Sequence, residues 1–269
     1  MKLKNIPYLL GWPRPKPKRY PPATMEVLID GKPLDFAYWT HPAENRRSPT
    51  QGEIDELRKL IRPGDICVDI GAKTGDTSVP LALAAGPEGA CVAVDPNPFP
   101  FPVLELNARH VEGRGHIIPV QAAIATENGT MTFRYSDADY CNGGLFPNIS
   151  TLNHGHVFPL EVSARRLDSL LEEYPGYLER LRYIKIDAEG YDFEILKAIK
   201  GLIEERRPFI RTEIFRRLPD EARIGVFEFF SELGYRTWRI ETLANLRGQE
   251  LDRDEMLKKK SFDLFAEPV

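Results

Sequence analysis

Two glycines, Gly71 and Gly75, stand in the segment Val68–Thr77, between an apolar run and a helix-like stretch. Glycine lets the backbone turn sharply and approach a ligand closely, and the N–H groups that open a helix bind anions. Lys73 stands where the dinucleotide pattern G-x-G-x-x-G needs glycine, and the Walker A pattern also fails. Asp69 would repel a pyrophosphate but suits an ammonium group. The segment therefore predicts a ligand with both an ammonium and a carboxylate, as in the methionine part of S-adenosylmethionine.

A second acid, Asp95, ends the apolar run Ala90–Val94, 24 residues after Gly71. An acid at this place in a nucleotide-binding α/β fold accepts hydrogen bonds from ribose hydroxyls. Residues 121–123 end the next predicted strand and would border adenine, although small residues there are equally a packing feature. We predict S-adenosylmethionine as cofactor, bound by Asp69, Gly71, Ala72, Gly75, Asp76, Thr77, Ser78, Asp95, Pro96, Asn97, Gln121, Ala122, Ala123 and Asp187.

The predicted catalytic residues, Lys185, Asp187 and Glu189, lie at the end of a fourth apolar run. Methyl transfer to a hydroxyl depends on positioning and on a general base within hydrogen-bond reach. Strand alternation puts Lys185 and Asp187 on one face, where an ammonium would keep Asp187 ionised but weaken it as a base. Glu189 is therefore the alternative base. In a functional role, Lys185 would orient Asp187 or contact the acceptor oxygen. Alternatively, Lys185 is a buried cation paired with a carboxylate such as Glu213.

Two histidines, His154 and His156, lie in a polar stretch and leave a second mechanism open. Either one with Asp187 would hold a divalent cation in a metal-assisted mechanism. The other interpretation is a solvated polar loop, and we assign no metal ligand.

Apolar runs and helix-like stretches alternate along most of the chain, which favours an α/β fold with a mainly parallel sheet covered on both faces. The predicted strands are Ile66–Ile70, Ala90–Val94, Ile117–Ala123, Thr130–Tyr135, Glu161–Ala164, Tyr183–Ile186, Phe209–Ile214, Tyr235–Ile240 and Phe262–Ala266. The predicted helices are Gln51–Ile61, Thr77–Ala85, Pro102–His110, Phe193–Lys200 and Glu221–Leu233. Residues 136–160 form a long insertion, which we expect to act as a lid or acceptor wall.

The N-terminal part divides into two segments. Residues 1–24 form a basic, proline-rich arm, which is either solvated or an electrostatic tether to an anionic membrane surface. Residues 25–50 form a hairpin, Met25–Trp39 around Asp30-Gly31, and a connector to a domain over residues 51–269.

The composition narrows the function classes. A net charge of −4 argues against a nucleic-acid partner, and three scattered cysteines predict neither disulfides nor a zinc site. Neither a membrane span nor a secretory signal is evident, so we expect a cytoplasmic protein. The oligomeric state is left open.

Several of these residues also carry a family resemblance. Asp69–Ala72 and Asp95–Pro98 resemble the pattern of FkbM methyltransferases, and Leu167–Leu170 and Ile184–Gly190 resemble its later blocks. The resemblance implies a Rossmann-like class I methyltransferase fold with a seven-stranded sheet, S-adenosylmethionine as methyl donor, and a hydroxyl acceptor on a sugar or natural product. Family members usually have Asn where Lys73 stands, and often have Glu in place of Asp95 and Asp192.

We therefore predict an S-adenosylmethionine-dependent O-methyltransferase acting on a small-molecule or saccharide acceptor. One alternative is a metal-assisted O- or N-methyltransferase on the same fold. The other is a non-catalytic cofactor-binding scaffold, which would have no need of Lys185, Asp187 and Glu189 together.

Overall fold

The computed structural model describes residues 18–135, 143–144 and 158–269. Most of the basic arm and most of the 136–160 insertion, including His154 and His156, lie outside the described residues. Within the described part of the chain, none of the helices combines the length and the apolar character that a membrane span requires.

The strands and helices follow one another along the chain. The strands are β1 (Pro22–Ile29), β2 (Lys32–Trp39), β3 (Ile66–Ile70), β4 (Ala90–Val94), β5 (Ile117–Val120), β6 (Ala123–Ile124), β7 (Gly129–Tyr135), β8 (Gly143–Gly144), β9 (Phe158–Arg165), β10 (Leu181–Ile186), β11 (Phe209–Ile214), β12 (Tyr235–Arg239), β13 (Gln249–Glu250) and β14 (Phe262–Pro268). The helices are α1 (Gln51–Leu57), α2 (Ser78–Ala85), α3 (Phe101–His110), α4 (Leu167–Glu172), α5 (Asp192–Ala198), α6 (Lys200–Arg206), α7 (Asp220–Glu232) and α8 (Glu255–Lys258).

The central sheet has eight strands in the order β13-β12-β14-β11-β10-β3-β4-β5. The five strands from β11 to β5 are parallel to one another, whereas β14 runs antiparallel to both β11 and β12. The α/β fold with a mostly parallel sheet is thus as predicted, but the sheet is mixed and has one strand more than the expected seven. The additional strand is β13, whose two polar residues lack the apolar run that marks the others.

Helices cover both faces of this sheet, because alternate strand residues point to opposite sides. On β3, Cys67 belongs to the apolar core that contains Leu81 of α2 and Leu104 of α3. The neighbouring residue, Val68, belongs to the core on the other face, with Phe230 of α7. Buried apolar side chains on both sides explain why β3 is hydrophobic at every position except Asp69.

A smaller sheet, β6-β9-β7-β8, follows the edge strand β5. The predicted strand Ile117–Ala123 is therefore wrong as one element, because it divides between the two sheets. Ala122 N–H bonds back to the Val120 carbonyl at 3.0 Å, and this short turn separates β5 from β6.

The hairpin β1–β2 packs on the central domain through its apolar residues and one buried amide. Asp30 and Gly31 have φ of 55° and 68°, as the predicted type I′ turn requires. The Asn107 side chain of α3 bonds both backbone groups of Ala37 on β2, at 2.8 and 2.9 Å. It also donates to the Thr74 carbonyl at 2.8 Å. One side chain thus links the hairpin to the turn after β3.

Candidate functional site

A cleft opens at the carboxyl ends of β3, β4 and β10, where open α/β sheets bind their ligands. It encloses about 930 Å³, including solvent at its mouth. Its walls are formed by Ile70, Gly71, Lys73, Val94, Asp95, Pro96, Asn97, Ala122, Ala123, Ile124, Phe133, Tyr135, Asp187, Ala188, Glu189, Tyr191 and Ile195. The glycine turn (residues 71–77), Asp95 and the acids after β10 are therefore brought to one site.

The glycine turn needs glycine at position 71 because two backbone segments meet there. Gly71 has φ of 78°, and a Cβ added to it would lie 1.9 Å from the carbonyl oxygen of Asp187. At Gly75, with φ of 86°, an added Cβ would lie 2.9 Å from Leu104 of α3. Gly71 thus borders the cleft, whereas Gly75 allows helix α3 to pack closely.

Lys73 also has a left-handed backbone, with φ of 49°. This conformation costs a non-glycine residue about 1–2 kcal/mol, and asparagine tolerates it better than lysine. The Lys73 N–H donates to Asp95 Oδ2 at 2.7 Å. Its Nζ lies 2.6 Å from Glu44 Oε2, so the cation expected beside the cofactor carboxylate is paired with an acid.

Asp95 presents a buried carboxyl group at the end of β4, only 7% exposed. Its two oxygens accept the backbone N–H groups of Lys73 and Asn97, at 2.7 and 2.8 Å. Burial raises its pKa to about 6, although these two hydrogen bonds act to lower it. A carboxylate so fixed still has lone pairs with which to accept hydroxyl hydrogens.

Lys185 lies buried between β3 and the acids that follow β10. Its Nζ is 3.1 Å from Asp69 Oδ1 and 3.5 Å from Asp187 Oδ2, and it donates to the Gly71 carbonyl at 3.1 Å. Burial acts to lower the pKa of Lys185, but Asp69 and Asp187 outweigh this and hold it above its usual value. The lysine therefore stays protonated, and its positive charge holds the carboxylates of Asp69 and Asp187 in place.

Lys185 is a buried cation paired with a carboxylate, as one of the two interpretations expected, but the partner is Asp69 and not Glu213. Lys185 stands in register with Asp69 on β3 and with a second cation, Arg211, on β11. The ammonium therefore turns toward the acid and away from the like charge. The carboxylate of Asp69 is fully buried and also accepts the Ser78 hydroxyl at 2.6 Å. Neither Asp69 nor Ser78 lines the cleft.

The acids Asp187 and Glu189 stand on a tight turn, the acid turn (residues 187–190). Glu189 has φ of 52°, a strained value of the kind found at functional sites. The buried Asp192 at the start of α5 holds this turn, accepting the N–H groups of Ala188 and Gly190 at 3.1 and 2.9 Å. Burial raises the pKa of Asp192 to about 7.

Carboxyl groups crowd around the acid turn and raise one another's pKa. The pKa of Glu189 is raised, first by loss of hydration and then by the carboxylate of Asp187. Burial, followed by the charges of Asp187 and Asp192, raises the pKa of Glu213 to about 8. This end of the cleft therefore has a negative field, and Glu189, Asp192 and Glu213 hold protons more strongly than in water.

The acid turn rests on a segment that a buried arginine holds in place. A Cβ on Gly190 would lie 2.9 Å from the Phe215 ring. The carbonyl of Phe215 accepts a hydrogen bond from Arg223, which is 4% exposed. Arg223 also donates to four further backbone carbonyls, those of Leu218, Met256, Lys259 and Lys260.

The aromatic side of the cleft was missing from the prediction. Phe133 and Tyr135 of β7 stand two residues apart, and with Tyr191 they line the cleft. Their alternation was the only signal in the sequence. Several predicted residues do not line the cleft, namely Ala72, Gly75, Asp76, Thr77, Gln121 and Lys185.

The described residues contain no group of three or more His, Cys, Asp or Glu side chains that could hold a metal ion. His154 and His156 are not among the described residues, so the metal-assisted alternative is decided by chelation and by the His154→Ala variant.

Sequence comparisons match the chain to known methyltransferases. A model of the FkbM methyltransferase domain matches residues 69–237. The methyltransferase sdnD of Sordaria araneosa is 25% identical over 209 residues, 70% of this chain and 74% of sdnD. The hexuronic acid methyltransferase AglP of Haloferax volcanii is 26% identical over 157 residues, 57% of this chain and 59% of AglP.

Among solved structures, methyltransferase FkbM of Methylobacillus flagellatus is similar over 80% of this chain, with a TM-score of 0.47 and 15% identity. The chain spans about half of that protein, 51% of its length. The domain match extends over more than half of the present sequence and includes both the glycine turn and the acid turn. The chain therefore belongs to the FkbM methyltransferase family.

Proposed function

We propose that the protein is an S-adenosylmethionine-dependent O-methyltransferase that acts on a hydroxyl of a sugar or natural product. The observation that carries the proposal is the meeting of Asp95, Gly71 and the acid turn around one cleft. The name of the relative AglP, a hexuronic acid methyltransferase, supports a saccharide acceptor.

The residues that line the cleft fit a nucleoside with an attached amino acid. Asp95 is placed to accept the ribose hydroxyls, and Ala122 and Ala123 leave a flat apolar wall beside it for the adenine. Gly71 lines the cleft beside Asp187, where the methionine part would meet the backbone. When bound, the cofactor supplies an electrophilic methyl group on a sulfonium, and the negative field of the acid turn stabilises that cation.

For the acceptor, we assign the general base to Glu189 and the positioning role to Asp187. The Asp187 carboxylate lies 3.5 Å from the Lys185 ammonium, an ion pair that would compete with the acceptor's proton. Glu189 lines the cleft, and its raised pKa strengthens it as a base. Phe133 and Tyr135 provide aromatic surface opposite these acids against which the acceptor can pack. No step in this mechanism uses a metal.

The first test is calorimetry with S-adenosylhomocysteine. We expect saturable binding that Asp95→Ala weakens by about 1–3 kcal/mol, since two hydroxyls lose their acceptor. Asp35→Ala, on the exposed face of β2, is the matched control and should bind normally. Binding of NAD with no response to S-adenosylhomocysteine would overturn the proposal.

The second test measures transfer of labelled methyl from S-adenosylmethionine to a hexuronic acid glycoside. Glu189→Gln should lower kcat by about 10²–10⁴-fold, the usual contribution of a general base, with cofactor affinity retained. A metal-assisted enzyme would instead lose activity in chelator, regain it with magnesium, and be inactive as His154→Ala. A scaffold would bind the cofactor and transfer methyl to none of a panel of hydroxyl and amine acceptors.

A further inference from the structure

Residues 41–50, here called the strap, connect the hairpin to α1 and contact the glycine turn. The strap residue Glu44 lies 2.6 Å from Lys73 Nζ. Further along, Arg47 Nη1 lies 3.2 Å from Asp76 Oδ2 and 3.4 Å from Thr77 Oγ1. The strap therefore contacts the glycine turn at two places, through Glu44 and Arg47, neither of which lines the cleft.

Arg47 is itself anchored on the opposite side. Its Nη2 bonds Glu53 in the first turn of α1, a side chain that is 4% exposed. Burial raises the pKa of Glu53, and the charge of Arg47 opposes this. A buried carboxylate paired with one arginine fixes that arginine, because separating the two would leave an uncompensated charge. Arg47 thus connects a rigid helix to the glycine turn.

The glycine turn depends on such support. Gly71, Lys73 and Gly75 all have positive φ, and the backbone bonds that tie the segment to β4 are confined to its start, where the N–H groups of Gly71 and Ala72 donate to the Val94 carbonyl. Its described contacts to the rest of the chain include the Asn107–Thr74 bond and the two strap contacts. A site built on a loop binds its ligand well only when neighbouring groups hold the loop in the binding geometry.

We propose that Arg47 is a positioning residue for the cofactor, holding Asp76 and Thr77 so that the glycine turn and the start of α2 keep their binding geometry. Glu44 has the same role on the Lys73 side. The inference rests on the proposed function, because it takes the ligand of the glycine turn to be S-adenosylmethionine. It adds the strap, which precedes the matched family domain, to the residues that set cofactor affinity.

The experiment compares Arg47→Gln with the matched variant Arg46→Gln. Arg46 is the preceding residue, and its guanidinium lies over the Tyr38 ring, 4.7 Å from the centroid. Calorimetry with S-adenosylhomocysteine should show about tenfold weaker binding for Arg47→Gln and wild-type binding for Arg46→Gln. Arg47→Lys should recover part of the loss. Thermal unfolding of each variant separates affinity from stability, and binding is measured well below each Tm.

The outcomes distinguish the inference from the function on which it rests. Wild-type protein that does not bind S-adenosylhomocysteine overturns both. If the wild type binds, but Arg47→Gln lowers only Tm or Arg46→Gln weakens binding equally, the positioning role alone is overturned. Should Arg47→Gln fail to fold, Glu44→Gln tests the strap's contact with Lys73 and should weaken S-adenosylhomocysteine binding in calorimetry. Unchanged affinity in that variant refutes the inference.

Discussion

Replacing Gly71 by alanine should destabilise the protein far more than the same change at a glycine of equal conformation. Gly176 has φ of 79°, against 78° at Gly71, but an added Cβ there would meet nothing within 4 Å. Gly176→Ala therefore measures the left-handed backbone alone, about 1–2 kcal/mol. At Gly71 the new Cβ would lie 1.9 Å from the Asp187 carbonyl.

A contact of that length cannot persist, because real Cβ contacts lie above 3.0 Å. The glycine turn and the acid turn must therefore separate by more than about 1 Å. Such a shift would strain the Asp187 N–H bond to Ile70 and the Lys185 bond to Gly71, 3.0 and 3.1 Å long. We expect Gly71→Ala to lower the free energy of unfolding by about 3–5 kcal/mol in total.

Urea denaturation of both variants gives the two free energies of unfolding directly. Calorimetry with S-adenosylhomocysteine gives the functional consequence, which should be loss of binding in Gly71→Ala and normal binding in Gly176→Ala. Equal destabilisation of the two variants would refute the reasoning, since it would mean that the contact between the two turns does not constrain the folded protein.

Three further predictions concern charge. Because the pKa of Asp95 is about 6, S-adenosylhomocysteine affinity should fall as the pH drops below 6, by about tenfold per unit, and Asp95→Asn should remove this dependence in calorimetry. Burial and neighbouring acids raise the pKa of Glu213 to about 8 in the folded protein. Between pH 4.5 and 8 the folded state therefore holds a proton that the unfolded state releases. The free energy of unfolding decreases as the pH rises through this range. Glu213→Gln should accordingly raise Tm at pH 8 and have little effect near pH 4; a constant difference would contradict this. Arg223→Met should cost at least about 3 kcal/mol in urea denaturation, since buried carbonyls lose their donor, whereas the exposed Arg236→Met should cost under about 1 kcal/mol.

Much of the fold was predictable because its signals are local. The strands β3 and β4 have the bounds predicted for them and are apolar at every position except Asp69, and the glycine turn and Asp95 follow them directly. These residues meet in space because parallel strands end at the same edge of the sheet.

The partners of the site residues were harder to predict, because they depend on register and on distant segments. Lys185 lies in register with an acid on one neighbouring strand and a cation on the other, and the choice of partner follows only when both registers are known. Arg47 reaches Asp76, 29 residues later in the chain, with no motif to indicate the contact. Phe133 and Tyr135 reach the cleft through a small sheet that pairs β7 with β9, and nothing in the composition of either strand specifies that pairing.

The position of β14 has a consequence for the order in which the chain is made. This strand, Phe262–Pro268, is inserted between β11 and β12, which are synthesised earlier. Until it emerges from the ribosome, the facing edges of β11 and β12 present unpaired backbone groups, which are a template for pairing with other chains. The half of the sheet that carries the cleft can pair as it is synthesised, whereas the other half waits for β14. Nascent chains halted before residue 262 should therefore depend on chaperones more strongly than the released protein.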